Sequence, residues 1–187
     1  SCVDCPASDT PMPGLRTIRR RMMAVYHEII PVETDRRVSF EDVTEKVQDI
    51  VKQSGIRNGL VNVFSQHTSC CIFIQEDSED VTYWHTPLIL QDMVNAMEKL
   101  FPTCQNEGQY LHPGPIHTKN AMELRDEKSE WLLNTDGHLR SVLLGRSETI
   151  PLVEGEMTLG EFGRIYFSDM DQTRARERKV RVQVVGE

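Results

Sequence analysis

Apolar residues recur along this chain mainly at the spacing of strands. β-Branched and aromatic residues predict a long strand over 16–30, ended by Pro31, and a short strand at 37–40. Two apolar runs at 59–65 and 69–76 predict a further pair. The last third of the chain predicts strands at 149–153, 156–159, 163–168 and 179–185, with Glu154 and Gly155 forming a tight hairpin turn. Strands therefore dominate the predicted fold.

Three segments have helical spacing instead. In the first, Ser39 can cap a helix whose apolar positions run from Phe40 to Val51 and which Gly55 ends. In the second, Pro87 is placed as a first-turn residue before an apolar face that reaches Leu100. The third is a short helix capped by Asn134 or Thr135 and closed by Gly145. The polar segment 103–130 between them predicts a loop.

Together these elements predict an α+β fold: a single domain with a mostly antiparallel β-sandwich and about three helices. The chain of 187 residues is long enough for one sizeable core, and no change in composition indicates a second domain. Residues 1–15 are rich in proline and predict a flexible leader before a domain at 16–187. Cys2 and Cys5 form a CxxC in that leader, which we interpret as part of the tail rather than a redox or zinc half-site.

Charge and cysteine content narrow the class of protein. A net charge of −8 argues against general electrostatic binding of nucleic acid, so we expect no nucleic-acid partner. The apolar runs are too short to cross a bilayer, so we expect no membrane partner. Five cysteines are an odd number, and the chain start has no signal-peptide core, which together predict a cytoplasmic protein.

The segment "SQHTSCCIFIQE", residues 65–76, places a polar cluster at the mouth of an apolar strand. His67 at a strand end can present its ring to a cleft, and its near-neutral pKa suits acid, base or metal-ligand roles. Glu76 would lie at the far end of this strand, roughly 25–30 Å away if the strand is straight. The two side chains would then meet only if the strand bends or a partner subunit contributes one of them.

Other candidates lie later in the chain. His112 and His117 are on the predicted loop, and His138 is near the start of a helix, where backbone N–H groups favour an anion. Arg174, Arg176 and Arg178 alternate along the sequence, so they would share one face of an extended segment. Their forked donors suit phosphate, although a solvated sheet edge would give the same pattern.

These motifs resemble the YjbQ-like family, often labelled secondary thiamine-phosphate synthase enzymes. The resemblance covers about residues 20–187. Five pieces carry it in order: "GLVNVFSQHTSCCIFIQED", "YLH", "NTDGHLRSVLLG", "IPLVEGEMTLGEFGRIYF" and "TRARERKVRVQVVGE". One departure is Asp136, which stands where many relatives have a histidine.

The resemblance implies a homotrimer with a histidine-lined pocket. It assigns catalytic roles to His67, Glu76 and His138, and anion contacts to Thr68, Ser69, Arg174 and Arg176. It assigns a divalent metal, zinc or magnesium, to His67, His112 and His138, with His117 as an alternative to His112. Glu76 could serve a pocket completed by a neighbouring subunit.

Three functions remain open from the sequence. The first is an enzyme with weak thiamine-phosphate synthase activity on a small phosphorylated metabolite, with the arginines binding the departing pyrophosphate. The second is a trimeric module that binds a metal ion or an anion without turnover. The third is a structural or regulatory protein whose histidines stabilise the trimer.

Overall fold

The computed structural model describes residues 22–187. The leader at 1–15, its CxxC and the first part of the strand predicted at 16–30 lie outside these residues. The described strands are β1 Ala24–Thr34, β2 Ser39–Asp42, β3 Gly59–Ser65, β4 Cys70–Glu76, β5 Ser147–Val153, β6 Glu156–Met157, β7 Gly163–Asp169 and β8 Arg176–Gly186. The α-helices are α1 Thr44–Ser54, α2 Leu88–Leu100, α3 Pro115–Arg125 and α4 Thr135–Leu144, and a 3₁₀ turn spans Ser129–Leu132.

The strands form two antiparallel sheets, which confirms the predicted fold class. The larger sheet has the order β1-β8-β3-β5-β6, and the smaller has the order β2-β7-β4. Their facing side chains, together with the buried face of α1, make the main apolar core. A second apolar layer packs α2 and the end of α4 against the outer face of the smaller sheet.

Strand β4 contributes to both apolar layers. Cys70 and Ile72 face the main core, whereas Cys71 and Phe73 face the second layer. Its outer edge is covered by the end of α4, because Ile72 N–H donates to the Gly145 carbonyl at 3.1 Å and the Ser141 hydroxyl donates to the Cys70 carbonyl. The apolar run after His67 is therefore a strand buried on both faces, and the polar cluster before it marks one end of the sandwich.

Four strand ends meet at that end of the sandwich. β3 ends at Ser65 and β8 begins at Arg176. β4 begins at Cys70, opposite Asp169 at the end of β7. Helix α4 packs directly against the backbone there, since a Cβ added at Gly137 would lie 2.8 Å from the Met170 carbonyl oxygen. This close approach brings the first turn of α4, with His138, to the same end of the sandwich.

The structure corrects three local predictions. β1 runs through Pro31 instead of ending there. Proline is tolerated because β1 is an edge strand, whose open side has no ladder hydrogen bonds that a missing N–H could remove. Ser39 begins β2 rather than α1, and α1 starts at Thr44, whose N–H donates to Asp42 Oδ1 at 2.9 Å. α1 ends before Gly55, as predicted, with φ at +68°.

The third correction concerns the predicted loop at 103–130, which contains α3 and the start of the 3₁₀ turn. Only Ala121 of α3 is buried, so the helix lacks the wide apolar stripe that would have revealed it. The Gly114–Pro115 pair at its start was the available signal, since proline suits the first helical position. Within residues 22–187, none of the helices combines the length and apolar content that crossing a bilayer requires.

Candidate functional site

A polar cavity of about 420 Å³ opens at the end of the sandwich where the four strand ends meet. We call its two sides the strand wall and the helix wall. The strand wall consists of Gln66, His67, Thr68, Ser69, Arg174, Arg176 and Arg178. The helix wall consists of His112, His117, Arg125, Glu127, Trp131, Leu132, Asn134 and His138.

The strand wall is built around a buried ion pair. Arg178 Nε donates to Asp169 Oδ2 at 2.6 Å, and Arg178 Nη2 donates to Ser69 Oγ at 3.1 Å. Ser69 in turn donates to Asp169 Oδ1 at 3.0 Å. All three residues are buried, so this closed network fixes the guanidinium of Arg178 at the cavity.

His67 is held between two donors. Lys179 N–H donates to His67 Nε2 at 3.3 Å, and Arg178 Nη1 lies 3.4 Å from His67 Nδ1. Burial lowers the pKa of His67, and the positive charge of Arg178 lowers it further. His67 is therefore favoured as a neutral ring. A neutral imidazole has a single lone pair, so it accepts from Lys179 N–H or from Arg178 but not from both, and either contact occupies the nitrogen that a metal ion would need.

Arg176 carries an unsatisfied donor. Its Nη1 pairs with Asp171 Oδ2 at 2.6 Å, and its Nη2 donates to Thr173 Oγ1 at 3.3 Å. Its Nε is the one buried side-chain nitrogen or oxygen in the described residues that has no hydrogen-bond partner. Such a group costs free energy unless a ligand or solvent satisfies it.

The ionised form of Asp171, which pairs with Arg176, is favoured by a lowered pKa. Burial would raise the pKa of Asp171, but hydrogen bonds from Thr173 and Asn134 and the charge of Arg176 outweigh burial and lower it. The Asn134 amide donates to Asp171 Oδ2 at 2.8 Å, which links the helix wall to the strand wall.

The helix wall gathers three imidazoles. The ring of His112 lies 4.8 Å from that of His117 and 6.1 Å from that of His138, centroid to centroid. Thr135 Oγ1 donates to the His112 carbonyl at 2.7 Å, so it accepts from His112 Nδ1, which lies 2.9 Å away. His112 Nε2 is then the ring nitrogen with a lone pair. Burial lowers the pKa of His112, and the neighbouring His117 and His138 lower it further.

An arginine–aromatic contact closes the cavity between the two walls. The guanidinium of Arg174 lies 4.1 Å from the ring centroid of Trp131. Arg174 Nη2 also pairs with Glu127 Oε1 at 3.2 Å, and Arg125 Nε lies 3.7 Å from Glu127 Oε2. Glu127 is thus the carboxylate partner of both Arg174 and Arg125.

The charges of the cavity do not balance. In the described part of the chain, four arginines line it, and they pair with only three carboxylates: Asp169, Asp171 and Glu127. The excess is positive before any histidine is protonated, which favours an anion. Among the described residues, no group of three or more His, Cys, Asp or Glu side chains is arranged to hold a metal ion.

The structure brings together most of the candidates predicted from sequence. His67, Thr68, Ser69, His112, His138, Arg174 and Arg176 all line the cavity, and so does the alternative His117. Glu76 does not line it, because Glu76 pairs with Gly163 at the opposite end of β4. Asp136 is also turned away from the cavity: it is buried, accepts from Cys104 N–H and lies 3.5 Å from Arg140.

Sequence reasoning missed Arg125, Glu127 and Trp131. Arg125 and Glu127 lie at or just after the end of α3, in the segment predicted to be a loop, and Trp131 lies in the 3₁₀ turn directly after that segment. Nothing in their local spacing indicates a site. Arg178 was visible through the alternation of arginines, but its burial depends on the register that places it on the same face of β8 as Val180 and Val182.

Comparison with known proteins shows the family. The family model for UPF0047 YjbQ-like proteins matches residues 28–187. A UPF0047 protein from Methanothermobacter thermautotrophicus is 36% identical over 164 residues, covering 88% of this chain and 94% of its own. A second one, from Synechocystis, is 30% identical over 162 residues, covering 87% and 92%.

Solved structures agree with the fold. A YjbQ-like protein of unknown function from Sulfolobus solfataricus matches with a TM-score of 0.68 and 25% identity, covering 89% of this chain and all of its own. A hypothetical protein from Aeropyrum pernix matches with a TM-score of 0.64 and 28% identity, covering 87% and 99%. The chain described here therefore belongs to the YjbQ-like UPF0047 family, whose function is not established.

Proposed function

We propose that the cavity binds a phosphate-bearing small molecule. The observation that carries this proposal is the excess of arginines over carboxylates among the described residues of the cavity, where four arginines have only three carboxylate partners. An oxyanion accepts from guanidinium donors in a fork geometry, and such charge-assisted bonds are strong when water is partly excluded. A phosphate would accept from these guanidinium groups and offset the excess positive charge.

The expected test is calorimetric titration of the protein with inorganic phosphate in a phosphate-free buffer. Wild type should bind saturably. Arg174→Gln removes one cavity charge without uncovering a fully buried carboxylate, since Glu127 keeps Arg125. Loss of a charge-assisted bond of about 1.5–3 kcal/mol should weaken binding by about ten- to a hundredfold.

The matched control is Arg57→Gln. Arg57 is exposed, and it lies beside the start of β3, at the opposite end of that strand from His67. The Arg57→Gln variant changes the net charge by the same amount as Arg174→Gln. Because the change is at the far end of β3, it should leave the affinity for phosphate unchanged. Equal weakening by both variants, or no saturable phosphate binding in wild type, would overturn the proposal.

Acid–base turnover of the ligand is a second candidate. The observation in its favour is the hydrogen bond from His112 Nδ1 to Thr135, which leaves a lone pair on Nε2 of a ring with a lowered pKa. The transfer reaction suggested by the family label, between a pyrimidine pyrophosphate and a thiazole phosphate, would use the same arginines at the leaving group. A turnover screen separates this candidate from binding alone: His112→Gln should abolish turnover while phosphate still binds.

The divalent metal, zinc or magnesium, also stays a prediction. Since His67 has both ring nitrogens facing protein donors, His112 and His138 are the better-placed members of the predicted ligand set. Elemental mass spectrometry of the purified protein, before and after a chelator, measures the metal content. If the protein contains a stoichiometric metal and phosphate binding requires it, the metal rather than the arginines would be the group that binds phosphate.

We further propose a homotrimer. Large apolar side chains on α2 and α4 support contact with further copies: Leu100, Val142 and Leu143 are 57%, 74% and 55% exposed. Light scattering after gel filtration should give three times the chain mass of 21.5 kDa. A mass equal to a single chain would contradict it.

We also propose that the protein functions in the cytoplasm. In the part of the chain that the structure describes, Cys70, Cys71 and Cys104 are buried free thiols, and unpaired thiols are usual where the environment is reducing. Fractionation of cells that produce the protein tests this, and recovery in a secreted fraction would contradict it.

A further inference from the structure

A second cavity adjoins the first and has a different character. It has a volume of about 590 Å³ and lies beside α3. Six of its lining residues are apolar: Cys104, Pro113, Pro115, Met122, Leu132 and Leu133. Within residues 22–187, no arginine lines it, whereas four line the first cavity. Its volume is within the range of about 300–1,000 Å³ that is typical of small-molecule sites.

The two cavities share part of their walls. His112 and Leu132 line both. Helix α3 also borders both, since Thr118 and Met122 face the second cavity while His117 and Arg125 face the first. The two cavities therefore adjoin at His112 and Leu132.

We propose that the ligand is a phosphate ester with an apolar organic group. The phosphate occupies the arginine-lined cavity and the organic group occupies the second cavity, with His112 at the junction. This inference rests on the proposed phosphate binding and adds the chemical class of the group attached to the phosphate. The contrast in lining chemistry supports it, because guanidinium groups select an oxyanion and the apolar surface gains free energy when it is removed from water.

The packing of α3 fits this assignment. Ala121 is its one buried residue, while Met122 is half exposed at the edge of the second cavity. A helix held by so few buried contacts can shift at low cost when an apolar group enters beneath it. Burial of Met122 against that group would then add to the affinity.

The test is a titration series on the full chain with inorganic phosphate, methyl phosphate, propyl phosphate and butyl phosphate. Burial of each added methylene should raise the affinity by about fourfold. Met122→Trp fills the second cavity and should remove the gain from the propyl and butyl groups. It should leave the affinity for inorganic phosphate unchanged.

The matched control is Leu124→Trp on the same helix. Leu124 is 75% exposed and lines neither cavity, so this variant should retain the chain-length dependence. The series in wild type needs no variant, so it decides the question even if Met122→Trp folds poorly. Equal affinity for all four phosphates would overturn the inference and leave phosphate binding intact, whereas no binding of inorganic phosphate or of any ester would overturn both.

Discussion

The two walls of the cavity are built by different means. The strand wall rests on side chains that are almost fully buried, with Asp169 and Arg178 only 1% and 8% exposed. The helix wall rests partly on α3, which buries one residue, and its three imidazoles lie beside one another. The site therefore combines a rigid, buried source of positive charge with imidazoles on a wall that is less firmly packed.

The largest expected effect is on the strand wall. Asp169→Ala leaves Arg178 buried without its carboxylate, and breaking a buried pair in this way costs about 3–5 kcal/mol. Denaturant unfolding should show this loss. The matched control is Glu41→Ala, which breaks the exposed pair with Lys46 at 2.7 Å and should cost at most about 1 kcal/mol. Equal losses in the two variants would mean that the strand wall is not the rigid side.

A smaller loss is expected from the helix wall. Thr135→Val removes the hydroxyl that bonds both the carbonyl and the ring of His112, and it should cost about 1–3 kcal/mol. It should also release His112 from one tautomer, which nitrogen-15 chemical shifts of the ring report directly. An unchanged ring signal would show that Thr135 does not set the tautomer.

The next effect is a pH dependence of stability. The lowered pKa of His67 means that the unfolded chain binds a proton that the folded chain resists, so stability is lost as the pH falls below 6.5. Burial, Arg178, Arg176 and Lys179 lower this pKa, and Asp169 opposes them. Between pH 6.5 and 5, wild type should lose more unfolding free energy than His67→Gln. Parallel losses in the two proteins would contradict the neutral ring assigned to His67.

The smallest effect is expected at Glu76. Glu76→Gln should change phosphate affinity by less than about twofold, a difference of about 0.4 kcal/mol, because the carboxylate lies at the far end of β4 from both walls. Titration of the variant measures this. A larger change would indicate that a neighbouring subunit brings Glu76 to the cavity, as the trimer hypothesis allows.

The fold was largely predictable because its strands carry local signals. The Glu154–Gly155 turn is confirmed, with both residues at positive φ, +53° and +90°. α4 is confirmed from its cap at Asn134 to its end at Gly145. α3 was not predictable from periodicity, since a helix with one buried residue leaves almost no apolar pattern.

The strand wall was more fully predictable than the helix wall, of which the sequence indicated only His112, His117 and His138. His67, Thr68 and Ser69 follow β3 directly, and Arg176 and Arg178 alternate, so sequence order places both sets at strand ends. The partners of these residues depend on register instead: Asp169 lies opposite Cys70, which places its carboxylate beside Ser69. Arg125 at the end of α3 and Trp131 in the 3₁₀ turn line the cavity through tertiary packing, and no spacing in the sequence indicates that.

The most direct test of phosphate binding is a crystal structure of the full chain grown with inorganic phosphate above its measured dissociation constant. We predict one phosphate between the two walls, with its oxygens accepting from the guanidinium groups of the arginines that line the cavity. A cavity without phosphate under those conditions, or a metal ion held there by the histidines, would contradict the account.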